Sequence, residues 1–150
     1  MTEPLEIRRA VPAELPQVDA LLEAEGLPPV PSRLPLANLL VGHDGGEVVG
    51  AIGLEVCALH GLVRSLVVAP SHARSGLGSS LLESLVARAH ELSLRDLYLL
   101  TENADDFFAK LGFETVERAG VPSGIRSTRE FREQCPESAT VMRRPLASRF

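Results

Sequence analysis

The sequence predicts a mixed fold of the α/β or α+β class: one central sheet of about seven strands with helices on both faces. Three observations carry this. Short apolar runs bounded by Pro and Gly recur along the chain. Strands outnumber helices in the first half, and strand–helix–strand units fill the second. The length, 150 residues, suits a single domain, 1–150, with one core.

Taken in order, Leu5–Val11 reads as a first strand, broken by Pro12. Leu15, Val18, Leu21 and Leu22 recur at helical spacing up to Gly26, with Pro16 tolerable in the first turn. Leu27–Pro35 carries four prolines and reads as a loop beside that helix, a plain connector in preference to the alternative of a lining for a substrate cleft. Leu39–Val41, a turn at His43–Gly46, and Glu47–Leu59 form a hairpin signal. His60-Gly61 marks a second turn. Leu62–Ala69 is a near-continuous apolar strand, broken by Arg64 and Ser65 and ended by Pro70, as expected of a strand covered on both faces. Leu81, Leu82, Leu85, Val86, Ala89 and Leu92 define an amphipathic helix. Asp96–Leu100 is a strand, Ala104–Leu111 a short helix closed by Gly112, and Phe113–Arg118 a strand. Pro122–Glu133 reads as helix and Ala139–Leu146 as a final strand.

The bulk composition excludes several classes. At 45% hydrophobic and 23% charged residues, the chain is neither disordered nor fibrous. No apolar run approaches the roughly 18–20 residues of a membrane span, and MTEPLEIRRA is no signal peptide, so a cytoplasmic protein is expected. Cys57 and Cys135 are read as free thiols. His43, His60, His72 and His90 are scattered and are read as surface or capping residues; no spacing suggests a metal site. A formal charge of −5 argues against a nucleic-acid partner, so an anionic ligand must be held by local features.

The informative stretch is Leu66–Leu82, where an apolar strand runs through a glycine-punctuated turn, Ala73–Gly78, into a helix. Helix N-termini expose unpaired N–H groups and a partial positive charge. Glycines let a phosphate approach them, and Arg74 adds a cation. The segment is not a Walker loop, because no Gly-Lys-Ser/Thr follows. It is not a dinucleotide fingerprint either, because Leu81 stands where the third glycine belongs. By itself the turn is read first as glycines that only shape a tight strand-to-helix connection.

In context, the sequence resembles the GNAT superfamily of N-acetyltransferases. Those proteins carry Gln/Arg-x-x-Gly-x-Gly/Ala after their fourth strand, and Ala73-Arg74-Ser75-Gly76-Leu77-Gly78 aligns with it, preceded by Val68-Ala69-Pro70. Ala104-Asp105-Asp106-Phe107-Phe108-Ala109-Lys110-Leu111-Gly112-Phe113 is similar to the family's Ala-x-x-Phe-Tyr-x-Lys-x-Gly-Phe helix. The resemblance covers essentially the whole chain and implies a mostly antiparallel sheet, acetyl-CoA as cofactor, and frequent homodimers. It implies that Leu66, Val67 and Val68 offer backbone groups to the pantetheine arm. Arg74, Ser75, Gly76, Leu77, Gly78 and Ser79 would hold the pyrophosphate. Thr101, Ala104, Phe107 and Phe108 would flank the thioester. Three departures stand out. Ala73 removes a side chain near the phosphates, Thr101 stands where the family often has Asn, and Phe108 replaces the tyrosine that serves many members as general acid. A CoA thiol resembles a Cys thiol, with a pKa of about 8.5, so it leaves tolerably as thiolate.

Leu97–Thr101, Val121–Phe131, Cys135–Ala139 and Met142 further resemble the subgroup of arsenic-resistance N-acetyltransferases and, distantly, the acetyltransferase domain of N-acetylglutamate synthases. Both imply a small amino-acid-like amine as acceptor. Glu55, on a strand among Leu54 and Val56, is the candidate base, with Glu102 second; for each the alternative is a solvated carboxylate. Arg64, a charge inside an apolar strand, must be paired or face a cavity, and is the candidate for a substrate carboxylate; a structural ion pair is the alternative. Arg126 and Arg129 could close over the same cleft, but solvated side chains are the favoured reading. The competing readings are an acetyl-CoA-binding sensor with little turnover, which Phe108 keeps open, and an N-acetyltransferase of proteins or peptides.

Overall fold

The computed structural model describes residues 5–128, 131 and 139–146. Seven strands form one sheet in the order β1-β2-β3-β4-β5-β7-β6: β1 Glu6–Arg9, β2 Leu39–Asp44, β3 Glu47–Cys57, β4 His60–Val68, β5 Asp96–Thr101, β6 Glu114–Thr115 and β7 Thr140–Pro145. The pairs β1·β2, β2·β3, β5·β7 and β6·β7 are antiparallel, and β4·β5 is parallel. The helices are α1 Leu15–Ala24, α2 Leu77–Glu91, α3 Asp105–Lys110 and α4 Ser123–Arg126. The mixed, mostly antiparallel sheet of the sequence reading is therefore present.

The chain divides into two compact units. The first holds residues up to Glu55 together with Arg64–Arg88; the second holds Val56–Val63 and everything from Ala89 on. The boundary passes through β3, β4 and α2.

In the first unit, Val18 and Leu22 of α1 are fully buried against Leu39 and Val41 of β2, Ala51 of β3 and Val67 of β4. Pro16 lies in the first turn of α1, where its missing N–H costs nothing. Side chains alternate between sheet faces. Val41 and Ala51 face α1, so their neighbours Gly42 and Gly50 face the other way, toward α2. A Cβ on Gly42 would stand 3.0 Å from Leu77, and one on Gly50 would stand 3.1 Å from Leu77, Leu81 and the Val67 carbonyl. The two glycines are registered partners. Together they let the first turn of α2 settle directly on the sheet. Helices thus cover both faces of this unit's sheet.

In the second unit, Leu62, Tyr98, Val121, Ile125 and Val141 form the core, with Phe131 packed against it. Asp96 is buried at the start of β5. It accepts from Arg143 Nε at 2.8 Å and meets His60 Nδ1 at 2.6 Å.

Several expected boundaries move. Asp44 and His43 belong to β2, and the reversal is confined to Gly45-Gly46. The second turn falls at Ala58-Leu59, with Ala58 at φ 56°, and not at His60-Gly61. His60 and Gly61 are held in β4 by pairing with Asp96 and Leu97, which overrides the local turn signal. β6 shrinks to two residues because the chain leaves it for a turn at Arg118–Gly120, whose Arg118 donates to the Ala139 carbonyl at 2.8 Å. Helix α4 stops at Arg126. There the Thr128 hydroxyl donates to the Ile125 carbonyl at 2.7 Å and competes with the helical ladder. Ser127 and Thr128 follow as turn and bend; of the remainder of the expected helix only Phe131 is described, and Arg129 and Cys135 lie outside the described residues.

Candidate functional site

The parallel ladder between β4 and β5 has three registered pairs, His60↔Asp96 to Leu62↔Tyr98. Beyond it, Ser65 sits inside β4 at φ 57°, a left-handed kink in an otherwise extended strand. Leu66, Val67 and Val68 follow the kink. Val67 buries its side chain in the first unit's core, while Leu66 and Val68 are half-buried. Past Ala69 the chain makes a short 3₁₀ turn, Pro70–His72, then bends through Ala73–Gly76 into α2.

This turn is built by local hydrogen bonds. Ser75 N–H and Ser75 Oγ donate to the His72 carbonyl at 3.3 and 2.6 Å, and Leu77 N–H donates back to Ser75 Oγ at 3.3 Å. His72 Nε2 lies 2.7 Å from Asp44 Oδ2, and its Nδ1 is 2.8 Å from Ser71 Oγ. The first backbone bond of α2 runs from Ser80 N–H to the Gly76 carbonyl at 3.0 Å. The N–H groups of Gly78 and Ser79 therefore precede the ladder. Gly76 has φ 86°, and the space a Cβ would enter holds nothing within 4 Å. Arg74 is exposed and, at φ 63°, left-handed in spite of its side chain. Leu77, 2% exposed, points into the core and contributes backbone alone to this turn. The result is an open, N–H-lined helix start flanked by a guanidinium, which is the chemistry of an anion site.

Glu55 and Arg64 are brought together. Arg64 Nη1 donates to Glu55 Oε1 at 2.9 Å, with the Arg64 side chain 5% exposed. Arg33, from the proline-rich segment, stands 3.7 Å from Glu55 Oε2. The same segment is fastened down by Leu34, which packs over Gly53, and by Val30 N–H donating to Asp19 Oδ1 at 2.9 Å. It is a built wall of the first unit, not a bare connector; sequence reasoning gave Arg33 no role. The signal was weak: an arginine between prolines reads as a solvated loop charge.

In the second unit, the Thr101 hydroxyl accepts from Ala104 N–H at 3.0 Å, tying the end of β5 to the residue that precedes α3. Phe108 is buried edge-on between Phe107 and Phe113, at centroid distances of 5.1 and 5.8 Å. Phe107 is exposed, as is Glu102. Arg126 is exposed on α4.

The histidines depart from the sequence reading. His43 is buried, 6% exposed, with Nε2 2.8 Å from Glu14 Oε2, and His60 and His72 both meet carboxylates. Strand pairing brings Asp96 to His60, and turns outside the strands bring Glu14 to His43 and His72 to Asp44, so spacing along the chain gave no hint of them. Among the described residues, no helix is long and apolar enough to cross a membrane.

Comparison with known proteins gives a consistent picture. The acetyltransferase (GNAT) domain family matches residues 35–115. An amino-acid acetyltransferase of Neisseria meningitidis is 28% identical over an alignment 148 residues long that covers 92% of this chain and 33% of that protein. This chain therefore spans about a third of the relative's length. Among solved structures, N-acetylglutamate synthase from Neisseria gonorrhoeae, complexed with coenzyme A and N-acetyl-glutamate, superposes with a TM-score of 0.83 at 23% identity, over 97% of this chain and 36% of that one. A Mycobacterium tuberculosis protein in complex with CoA superposes with a TM-score of 0.78 at 22% identity, over 95% of this chain and 99% of that one.

Proposed function

This chain belongs to the GNAT acetyltransferases, and on that premise we propose that it transfers the acetyl group of acetyl-CoA to the amine of a small amino-acid-like acceptor. The family sets the enzyme class, an N-acetyltransferase, and the donor, acetyl-CoA. The acceptor class is supported by the likeness to an amino-acid acetyltransferase and by a buried arginine, Arg64, beside the strand segment that leads to the turn.

The observation that carries the proposal is the turn Arg74–Ser79. A diphosphate needs N–H donors not consumed by the helix, room to approach them, and a nearby cation. Gly78 and Ser79 supply the donors, Gly76 the open space, and Arg74 the cation. Leu66–Val68 would present strand backbone to the pantetheine arm, and a strand N–H near Val68 would be the donor to the thioester oxygen. When bound, the cofactor supplies an activated acetyl thioester. Arg64 orients the acceptor by its carboxylate, and much of the rate comes from that positioning. Glu55 holds Arg64 in place. The assignment of Thr101, Ala104, Phe107 and Phe108 to the thioester end rests on the motif alone.

Two measurements test this. Release of free CoA thiol is followed with a panel of amines that includes glutamate, other amino acids, amino-acid-like arsenicals and a peptide N-terminus. Turnover is expected with free amino acids; acetyl-CoA binding without thiol release on every amine would make the chain a sensor. Gly76→Asp puts bulk and negative charge into the open space and should abolish acetyl-CoA binding while the protein stays folded. Unchanged affinity would remove the turn from the site.

A further inference from the structure

We propose that His72 is a positioning residue for the cofactor turn: clamped to Asp44, it holds Arg74 in the left-handed conformation that gathers the N–H groups at the start of α2. The inference rests on the reading of Arg74–Ser79 as the diphosphate site.

Left-handed backbone is costly for a residue with a Cβ and persists only where its neighbours fix it. Arg74, at φ 63°, is such a residue. It is fixed from both sides. On one side, both ring nitrogens of His72 are engaged, Nε2 by Asp44 at 2.7 Å and Nδ1 by Ser71 Oγ at 2.8 Å, so the ring cannot turn without losing a bond. On the other, Ser75 closes back onto the His72 carbonyl through its N–H and its hydroxyl. Arg74 lies inside this closed loop. Asp44 is a firm anchor, because it ends β2 in register with Glu47 across the hairpin. The clamp thus transmits the rigidity of the β2–β3 hairpin to the turn. Without it, Arg74 is free to relax to a right-handed backbone, which swings Ser75 and Gly76 away from the helix start.

Acetyl-CoA affinity, read by titration calorimetry, tests this against the ligand-free melting temperature. His72→Ala is expected to raise the acetyl-CoA Kd roughly tenfold, the scale of one charge-assisted hydrogen bond. Asp44→Ala should do the same, and the double variant should be no worse than either. His72→Gln keeps an N–H for Asp44 and should recover most of the affinity. In an Arg74→Gly background the left-handed backbone carries little strain, so His72→Ala should there change Kd by less than about twofold. An equal cost in both backgrounds, or no change in Kd on losing His72 while Gly76→Asp still abolishes binding, overturns the proposal. Intact binding in Gly76→Asp would remove the diphosphate reading, and this proposal with it. Should His72→Ala fail to fold, Asp44→Ala, at the partly exposed hairpin end, carries the same comparison.

Discussion

Arg64 and Glu55 illustrate how a single contact redistributes roles. A guanidinium 5% exposed inside a strand must be neutralised, and Glu55 does this at 2.9 Å, with Arg33 at 3.7 Å on the other carboxylate oxygen. A carboxylate engaged by two guanidiniums is poorly placed to take a proton from an ammonium group; it is well placed to aim a guanidinium. Glu55→Gln should therefore raise the KM for the amine while leaving kcat and the acetyl-CoA KM nearly unchanged. A fall in kcat with unchanged amine KM would return Glu55 to the role of proton acceptor. Arg64→Met should lose the same amine affinity and also destabilise the fold by about 3 kcal/mol, the lower end for breaking a buried pair, because Arg33 remains to balance Glu55. Thermal melts alongside kinetics separate the two effects. That Arg64 must be paired or face a cavity was legible in the sequence; the ion pair stood there only as the alternative to a substrate carboxylate. Which acid would pair with it was not legible, because β3 and β4 had to be aligned first.

Among the elements, α2 and the strands under it decide where the turn lies. The sequence showed the amphipathic stripe of α2 and the glycines of the turn, but gave Gly42 and Gly50 no role, because a glycine inside a strand signals close approach without saying of what. Here the approach is that of Leu77 and Leu81. Gly50→Ala places a methyl 3.1 Å from both leucines and from the Val67 carbonyl, which cannot give way as a side-chain end can. The expected result is a loss of about 1–3 kcal/mol, typical of overpacking, with weakened acetyl-CoA binding because the start of α2 is lifted. Full stability with native affinity would show that the helix does not rest on that glycine. Other elements were legible to within a residue or two: α1, β5 and α3 matched their periodicity and caps. The ones that moved had boundaries set by partners distant in sequence. His60 joined β4 through Asp96, and β6 ended where Arg118 turned back to Ala139.

For the whole molecule, a net charge of −5 means that an anionic cofactor gains nothing from the global field and depends on local donors. Local charge bears on stability through one buried cluster in the second unit. Tyr98 is 5% exposed between β4 and β7, and its pKa is raised from 10.0, first by burial and then by the Asp96 carboxylate, with Arg143 pulling it partly back. The folded state therefore holds the phenol proton more tightly than the unfolded chain does. That difference contributes fully to stability below the unfolded value and is lost as pH rises through the folded one. The melting temperature should accordingly fall steeply above about pH 10. Tyr98→Phe keeps the ring in the core, removes the ionisable group, and should show a shallower decline over the same range, with little change near neutrality. The comparison needs only melts of the two proteins at matched pH, and parallel curves would mean that the alkaline loss comes from the single lysine, Lys110, or the thiols and not from Tyr98.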